Sequence, residues 1–183
     1  FLEITDQGVI FHDAGELWGK ETYEAEERMK ALVGDSAAQT VVIGPAGENR
    51  IRFSVIESGK WRAAGRTGVG AVMGAKGVKG ILFHGAAGKT PHDPGRLDLL
   101  WKKLLNKARE NPLVKAYQTM GTPMLVGMMN TIGGFPTRYW SQGTLPGWEK
   151  ISAEGIRNLC EVHSSACPRC FMACGKLTSV KKG

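Results

Sequence analysis

The segment Ala166-Cys167-Pro168-Arg169-Cys170-Phe171-Met172-Ala173-Cys174-Gly175 sets three thiols at a C-x2-C-x3-C spacing. Three sulfurs this close can turn inward on one loop and hold iron or zinc, which commits the surrounding chain to supporting a ligand loop. Pro168 and Gly175 suit the bends such a loop needs. Zinc calls for a fourth Cys or His nearby, and Cys160 and His163 are candidates; a cubane iron-sulfur cluster calls for four thiolates, commonly three local and one remote. Local spacing leaves the two metals open. With three of four cysteines clustered, a secreted disulfide framework is disfavoured, and a reducing, cytoplasmic setting is expected.

A second constraint lies in Trp61 to Gly80, where Gly65, Gly68, Gly70, Gly74, Gly77 and Gly80 crowd one stretch. Each interior glycine costs a helix roughly 1 kcal/mol relative to alanine. Such density suits a backbone that passes close to something, either a packed neighbour or a phosphate-bearing ligand. It is no dinucleotide fingerprint, because Met73 stands where the third glycine should be, and no Walker A sequence is present. Arg62, Arg66, Lys76 and Lys79 lie beside it, and Arg and Lys are the residues that grip phosphate.

Along the chain, Asp6-Gln7-Gly8 between Leu2–Thr5 and Val9–His12 predicts a hairpin. Asp13 offers an N-cap for a short turn, and Thr22, Ala25, Met29 and Leu32 predict an amphipathic helix ending at Gly34. Thr40 to Ile43 reads as a buried strand, Ile51, Phe53 and Val55 as an alternating one, and Ile81 to His84 as another. Beyond a break at Pro91, Pro94 and Gly95, Leu97, Leu100, Trp101, Leu104, Leu105 and Ala108 recur at helical spacing up to Pro112. Met120 to Ile132 predicts short helices, Phe135 to Trp140 an extended loop, and Ser152 to Cys160 a helix leading to the cysteines. The fold class is therefore α+β, with a β-rich part over residues 1–90 and a mostly helical segment over 91–183.

The net charge of +7 is spread along the chain rather than drawn into a stripe with interleaved aromatics, which argues against nucleic acid as a partner. Lys176 to Lys182 reads as a solvated cluster. No run of about eighteen apolar residues occurs, so no membrane partner is expected. His12, His84, His92, His163 and Glu48 show no catalytic pairing in the sequence, and neither H-E-x-x-H nor G-x-S-x-G is present. The chain opens on Phe1-Leu2-Glu3-Ile4, which reads as the middle of a strand, and a piece of a longer protein is expected.

Several separated stretches converge on one resemblance. Asp13-Ala14-x-x-Leu17-Trp18-Gly19-x-x-Thr22-Tyr23-Glu24-x-Glu26, Ile43-Gly44-Pro45-Ala46-Gly47-Glu48-Asn49, Arg62-Ala63-Ala64-Gly65-Arg66-x-Gly68-Val69-Gly70-Ala71-Val72-Met73-Gly74-x-Lys76, Pro136-Thr137 and the cysteine loop occur in that order. Together they resemble the tungsten-containing aldehyde ferredoxin oxidoreductase family. The resemblance implies that residues 1–90 are the latter part of an N-terminal, two-sheet domain binding a tungsten (or molybdenum) bis-pterin cofactor. Residues 91–183 would begin a helical domain.

It further implies that Cys167, Cys170 and Cys174 are three ligands of a 4Fe-4S cluster, with a fourth cysteine outside this sequence and Cys160 structural. Ala64, Gly65, Arg66, Gly68 and Gly70 would contact the pterin cofactor. The Ala64 carbonyl, with Ala63 as the alternative, would help hold a magnesium ion bridging the pterin phosphates. The implied activity is oxidation of an aldehyde to a carboxylic acid, with electrons passed to ferredoxin. A relative reducing an aromatic thioester, and a small iron-sulfur or zinc electron-transfer module, are the alternatives. An isolated piece is expected to be inactive, and to self-associate through apolar side chains such as Leu104, Met128 and Trp140.

Overall fold

The computed structural model describes residues 1–88 and 90–180, which fall into two compact units, Phe1–Lys89 and Thr90–Gly183. The first is built on a six-stranded mixed sheet in the order β2-β1-β6-β3-β4-β5. Its strands are β1 (Leu2–Thr5), β2 (Gly8–Phe11), β3 (Gln39–Val42), β4 (Ile56–Ser58), β5 (Arg62–Ala64) and β6 (Gly80–Phe83). β1 and β2 form the expected hairpin with Gly8 at φ +146°. β6 then runs parallel to β1 and antiparallel to β3. Of the two sheets that the resemblance implies for the whole domain, this unit carries one.

Helix α1 (Thr22–Val33) lies on one face of this sheet and stops at Gly34, whose φ of +73° is the left-handed termination that glycine adopts without a Cβ penalty. Met29 joins Phe1, Leu17, Ala38, Val42 and Leu82 in the core. A Cβ on Gly80 would sit 2.6 Å from the Met29 sulfur, so that glycine sets how closely helix and sheet approach. The buried face of α1 is Ala25, Glu26 and Met29; Leu32, expected there, is exposed.

The alternation at Ile51, Phe53 and Val55 does not produce a strand. Ser54 donates its amide to the Ile51 carbonyl, which turns the chain, and the Ser54 carbonyl then accepts from Gly70. Phe53 is left 81% exposed. The Ile51 amide donates to the Ala46 carbonyl, so backbone groups that a strand would use are taken by Ala46, by the turn itself and by Gly70. The chain that leaves β3 forms a single helical turn, α2 (Pro45–Glu48).

The second unit holds α4 (Pro94–Glu110), α5 (Pro112–Met120), α6 (Leu125–Thr131) and α7 (Ala153–Leu159), numbered after α3 (Val69–Ala75) of the first unit. Asp93 caps α4 by accepting from the Arg96 amide, Asn111 caps α5 by accepting from Leu113 and Val114, and Ser152 caps α7 by accepting from Gly155. Pro112 closes α4 as expected, and it also opens α5, where its missing N–H costs nothing. The chain after α7 forms a hairpin, β7 (Cys160–Ser164) and β8 (Lys176–Val180), that sequence reasoning did not anticipate. Leu97, Leu99, Leu100, Leu104, Met128 and Trp140 are exposed, so most of the expected apolar stripe of α4 is left uncovered.

Phe135 to Trp140, expected to be extended, is instead a tight turn. Thr137 and Gln142 exchange backbone hydrogen bonds of 2.9 and 3.1 Å, and Arg138, Tyr139 and Trp140 all have positive φ. Lys181 and Lys182, part of the C-terminal basic cluster, lie outside the described residues. Among the described residues no helix is long and apolar enough to cross a membrane.

Candidate cofactor and metal sites

The glycine-rich segment begins as β5, the edge strand of its sheet, and its Ala63 to Thr67 stretch is exposed. Ala64, Gly65 and Arg66 therefore present backbone groups and a guanidinium outward. Thr67 holds φ at +74°, an uncommon conformation for a side-chain-bearing residue. Such outliers concentrate where a ligand or a tight junction requires them.

Gly68 and Gly70 are buried and face the protein itself. A Cβ on Gly68 would stand 1.8 Å from the Arg52 carbonyl oxygen, one on Gly70 2.5 Å from that of Val55, and one on Gly74 1.9 Å from that of Gly47. With no side chain, those three glycines let α3 pack on the backbone of residues 47–55. What remains open to a ligand is the exposed run Ala64-Gly65-Arg66.

The four cations flanking this segment are not equivalent. Lys79, placed among the phosphate candidates, is fully buried, and its Nζ lies 2.5 Å from Glu48 Oε1 while donating to the Lys20 carbonyl at 2.7 Å. Glu48 also accepts from the Gly19 amide at 2.9 and 3.0 Å. Lys79 is thus a structural cation that joins the approach to β6, α2 and the loop before α1. Arg62 donates to its neighbour's carbonyl, Trp61, whereas Arg66 and Lys76 are exposed.

Glu3 shows the same kind of hidden pairing. Its carboxylate, on a residue 8% exposed, bridges His12 Nε2 at 2.5 Å and His84 Nε2 at 2.6 Å, and His84 Nδ1 lies 3.3 Å from Asp35. Hydrogen bonds from the two histidines hold the Glu3 carboxyl below the usual glutamate range. The Glu3 hydrogen bond, opposed by desolvation and helped by the Glu3 and Asp35 charges, raises His84. Neither histidine is the lone residue that the sequence suggested.

In the second unit the three cysteines occupy the loop between β7 and β8. Ser165 N donates to the Gly175 carbonyl at 2.9 Å and closes the neck of the loop, and Cys170 N donates to the Cys167 carbonyl at 3.0 Å. Cys167, Cys170 and Cys174 are exposed and form no disulfide. As placed, they do not converge: among the described residues no three His, Cys, Asp or Glu side chains share a metal position. Cys160 begins β7 opposite Val180 and His163 faces Leu177 across the hairpin, so neither joins the loop.

One wall of the loop is apolar. Leu97, Trp101 and Leu105 of α4, with Ala166 and Phe171, line a cavity of about 670 Å3 that also touches Cys167, Arg169 and Cys170. The Trp101 and Phe171 rings stand 6.1 Å apart. The other wall is the C-terminal end of α5. Gln118 Nε2 donates to the Phe171 carbonyl at 2.7 Å. Lys176 Nζ donates to the Gln118 carbonyl at 2.9 Å, to the Ala173 carbonyl at 2.8 Å and to Ser164 Oγ at 3.5 Å. Burial lowers the Lys176 ammonium, with Cys174 opposing that shift and Arg157 adding to it. Lys176 was read as part of a solvated basic cluster; it is half-buried and anchored, and neither it nor Gln118 carried a signal at the level of spacing.

The donor chemistry fits a thiophilic metal group. Three unpaired thiols sit on one closed loop, with an apolar face on one side and hydrogen-bond donors fixing the backbone on the other.

Comparison with known proteins brings in both units. A family model described as aldehyde ferredoxin oxidoreductase, N-terminal domain, matches residues 1–85, and one described as aldehyde ferredoxin oxidoreductase, domains 2 & 3, matches residues 99–183. The tungsten-containing aldehyde ferredoxin oxidoreductase of Pyrococcus horikoshii is 35% identical over 97% of this chain and 29% of its own length. That of Thermococcus kodakarensis is 33% identical over 98% of this chain and 30% of its own length. Among solved structures, the active-site complex of benzoyl coenzyme A reductase with 1,5-dienoyl-CoA superposes with a TM-score of 0.72 at 27% identity, over 98% of this chain and 29% of that one. The chain thus spans under a third of the length of the relatives it matches.

Proposed function

The chain belongs to the aldehyde ferredoxin oxidoreductase family, and from that premise we propose that it is the portion of a tungsten oxidoreductase that meets both the pterin cofactor and the iron-sulfur cluster. The observation that carries the reading is the loop of three unpaired, exposed thiols within the stretch matched by the family's domains 2 & 3. Cys167, Cys170 and Cys174 hold a 4Fe-4S cluster as thiolates, with a fourth ligand from elsewhere in the protein. The exposed Ala64-Gly65-Arg66 edge would hold a tungsten or molybdenum bis-pterin, with Arg66 pairing with phosphate and the Ala64 carbonyl helping to hold a magnesium ion. Gly68 and Gly70 contribute by letting α3 pack behind that edge.

When bound, these groups supply oxygen transfer at the metal and single-electron transfer through the cluster. The protein's part is to orient and to exclude water. Trp101 and Phe171 present apolar surface at one side of the cysteine loop, and the α5 end fixes the loop from the other. The reaction is oxidation of an aldehyde to a carboxylic acid, with ferredoxin or a similar acceptor taking the electrons, in the cytoplasm. Reduction of an aromatic thioester is the second reading, favoured by the likeness to the benzoyl coenzyme A reductase complex.

Iron, tungsten, molybdenum and zinc assayed together on protein purified without oxygen test the reading. About four irons per chain are expected, with iron lost in Cys170→Ser. Zinc at one per chain with no iron would overturn the cluster assignment. Aldehyde and aromatic-thioester turnover, measured side by side, separates the two reactions.

A further inference from the structure

We infer that Lys176 and Gln118 are positioning residues for the cysteine loop, and that the Lys176 ammonium is a fixed cation that raises the reduction potential of the cluster held there. The inference rests on the cluster reading above. The register of the hairpin pairs Lys176 with Ser164, which puts Lys176 at the neck of the loop, two residues beyond Cys174. An ammonium has three donors. Here they meet three oxygens, those of Gln118, Ala173 and Ser164, at 2.9, 2.8 and 3.5 Å. A lysine with free choice of rotamer on a solvated strand would not spend side-chain entropy on this arrangement unless its oxygens needed a donor.

Two carbonyls of the loop are gripped, that of Phe171 by Gln118 of α5 and that of Ala173 by Lys176 of β8, whose Nζ is itself tied to the Gln118 carbonyl of α5. They flank Met172, between Cys170 and Cys174, and therefore set the path of the chain across the x3 segment. Ser164 Oγ reinforces the Ala173 carbonyl at 3.4 Å. Close packing adds to the grip, since a Cβ on Gly121, at the end of α5, would stand 2.7 Å from the Cys174 carbonyl oxygen. A loop tied this way is pre-shaped before any metal arrives, so less ordering remains to be done on binding.

The charge has a separate consequence. A cluster gains one negative charge on reduction, and a cation held nearby stabilises the reduced form more than the oxidised one. Hydrogen-bond partners and charges around the ligands are how a protein tunes such a centre. Gln118 is neutral and shapes the loop without this effect, so the two residues are separable by experiment.

The test uses the protein at its full natural length, purified without oxygen, with Lys176→Gln, Lys176→Arg and Gln118→Ala. Potentials come from a redox titration followed by electron paramagnetic resonance, and loop integrity from the rate at which a chelator strips iron. Lys176→Gln is expected to disfavour one-electron reduction about tenfold, a fall of ~59 mV, and Lys176→Arg to restore the potential. Gln118→Ala is expected to leave the potential in place and to speed iron stripping several-fold. Equal potentials for Lys176→Gln and the unmodified protein would overturn the inference, as would failure of both Lys176 variants to load iron, which would make the side chain a packing element. If Lys176→Gln alone fails to load while Lys176→Arg loads at the original potential, the charged anchor is supported. An unmodified protein without iron would instead overturn the cluster reading on which the inference stands.

Discussion

Replacing Lys79 by methionine should be the most damaging conservative change in the first unit. The side chains of Lys79 and Glu48 are 0% and 5% exposed, with 2.5 Å between Nζ and Oε1. Methionine fills most of the lysine's volume but leaves the Glu48 carboxylate buried without its counter-charge and the Lys20 carbonyl without its donor. Removing one partner of a buried pair typically costs about 3–5 kcal/mol. The Gly19 amide still donates to Glu48, which places the expectation toward the lower end of that range. Hydrogen exchange should register the loss at β3 and β6, because the Ile43 amide donates to the Lys79 carbonyl and β3 pairs with β6. At 1.4 kcal/mol per tenfold, protection of these amides should fall roughly 10²–10³-fold. A double variant, Lys79→Met with Glu48→Leu, should recover most of the loss, since water reaches the exposed Gly19 amide. Protection within threefold of the parent in the single variant would refute the argument, as would a double variant as damaged as the single.

The Glu3 cluster makes the first unit's stability depend on pH. His84 is raised, so its contribution is complete below the unfolded value of 6.5 and is lost as pH rises through the folded value. Glu3 is lowered, so its contribution is present above 4.5 and is lost as pH falls through its folded value. Denaturant midpoints should therefore show the cluster's support greatest between pH 4.5 and 6.5 and declining above it, with Glu3→Gln flattening the profile; a His84 titrating below 6.5 by NMR would contradict this. Gly74→Ala should cost about 1–3 kcal/mol by overpacking, because its Cβ would lie 1.9 Å from the Gly47 carbonyl oxygen. A denaturation midpoint equal to the parent's would show that α2 and α3 can separate freely.

The hairpin at Asp6-Gln7-Gly8 and the helix stopped by Gly34 were legible because each rests on local rules of turn and cap chemistry, and α4 because its apolar residues recur at helical spacing, although Pro94 and Gly95, read as a break, form its first turn. The alternation at Ile51, Phe53 and Val55 obeyed a local rule too, yet it failed, because its backbone groups are taken by Ala46 of α2, by a turn at Ser54 and by Gly70 of α3. Periodicity reports what a segment can do alone and is silent about which distant backbone will take its hydrogen bonds. The β7–β8 hairpin was missed for a related reason: each strand is short and finds its partner only across the cysteine loop.

By itself the sequence determined several local elements, among them the first hairpin and helices α1 and α4, together with the three thiols at ligand spacing and the motif order that identifies the family, since all of these are properties of residue type and spacing. Only the tertiary structure decided what the charged residues are for. Lys76 and Lys79 are three positions apart and chemically identical, yet one is exposed and the other is wholly buried against Glu48, 31 residues earlier in the chain. Lys176 likewise left a basic tail to hold a carbonyl contributed by α5, 58 residues away. A charge takes its role from its partner and its access to water, and both are fixed by chain segments that meet only when the protein folds.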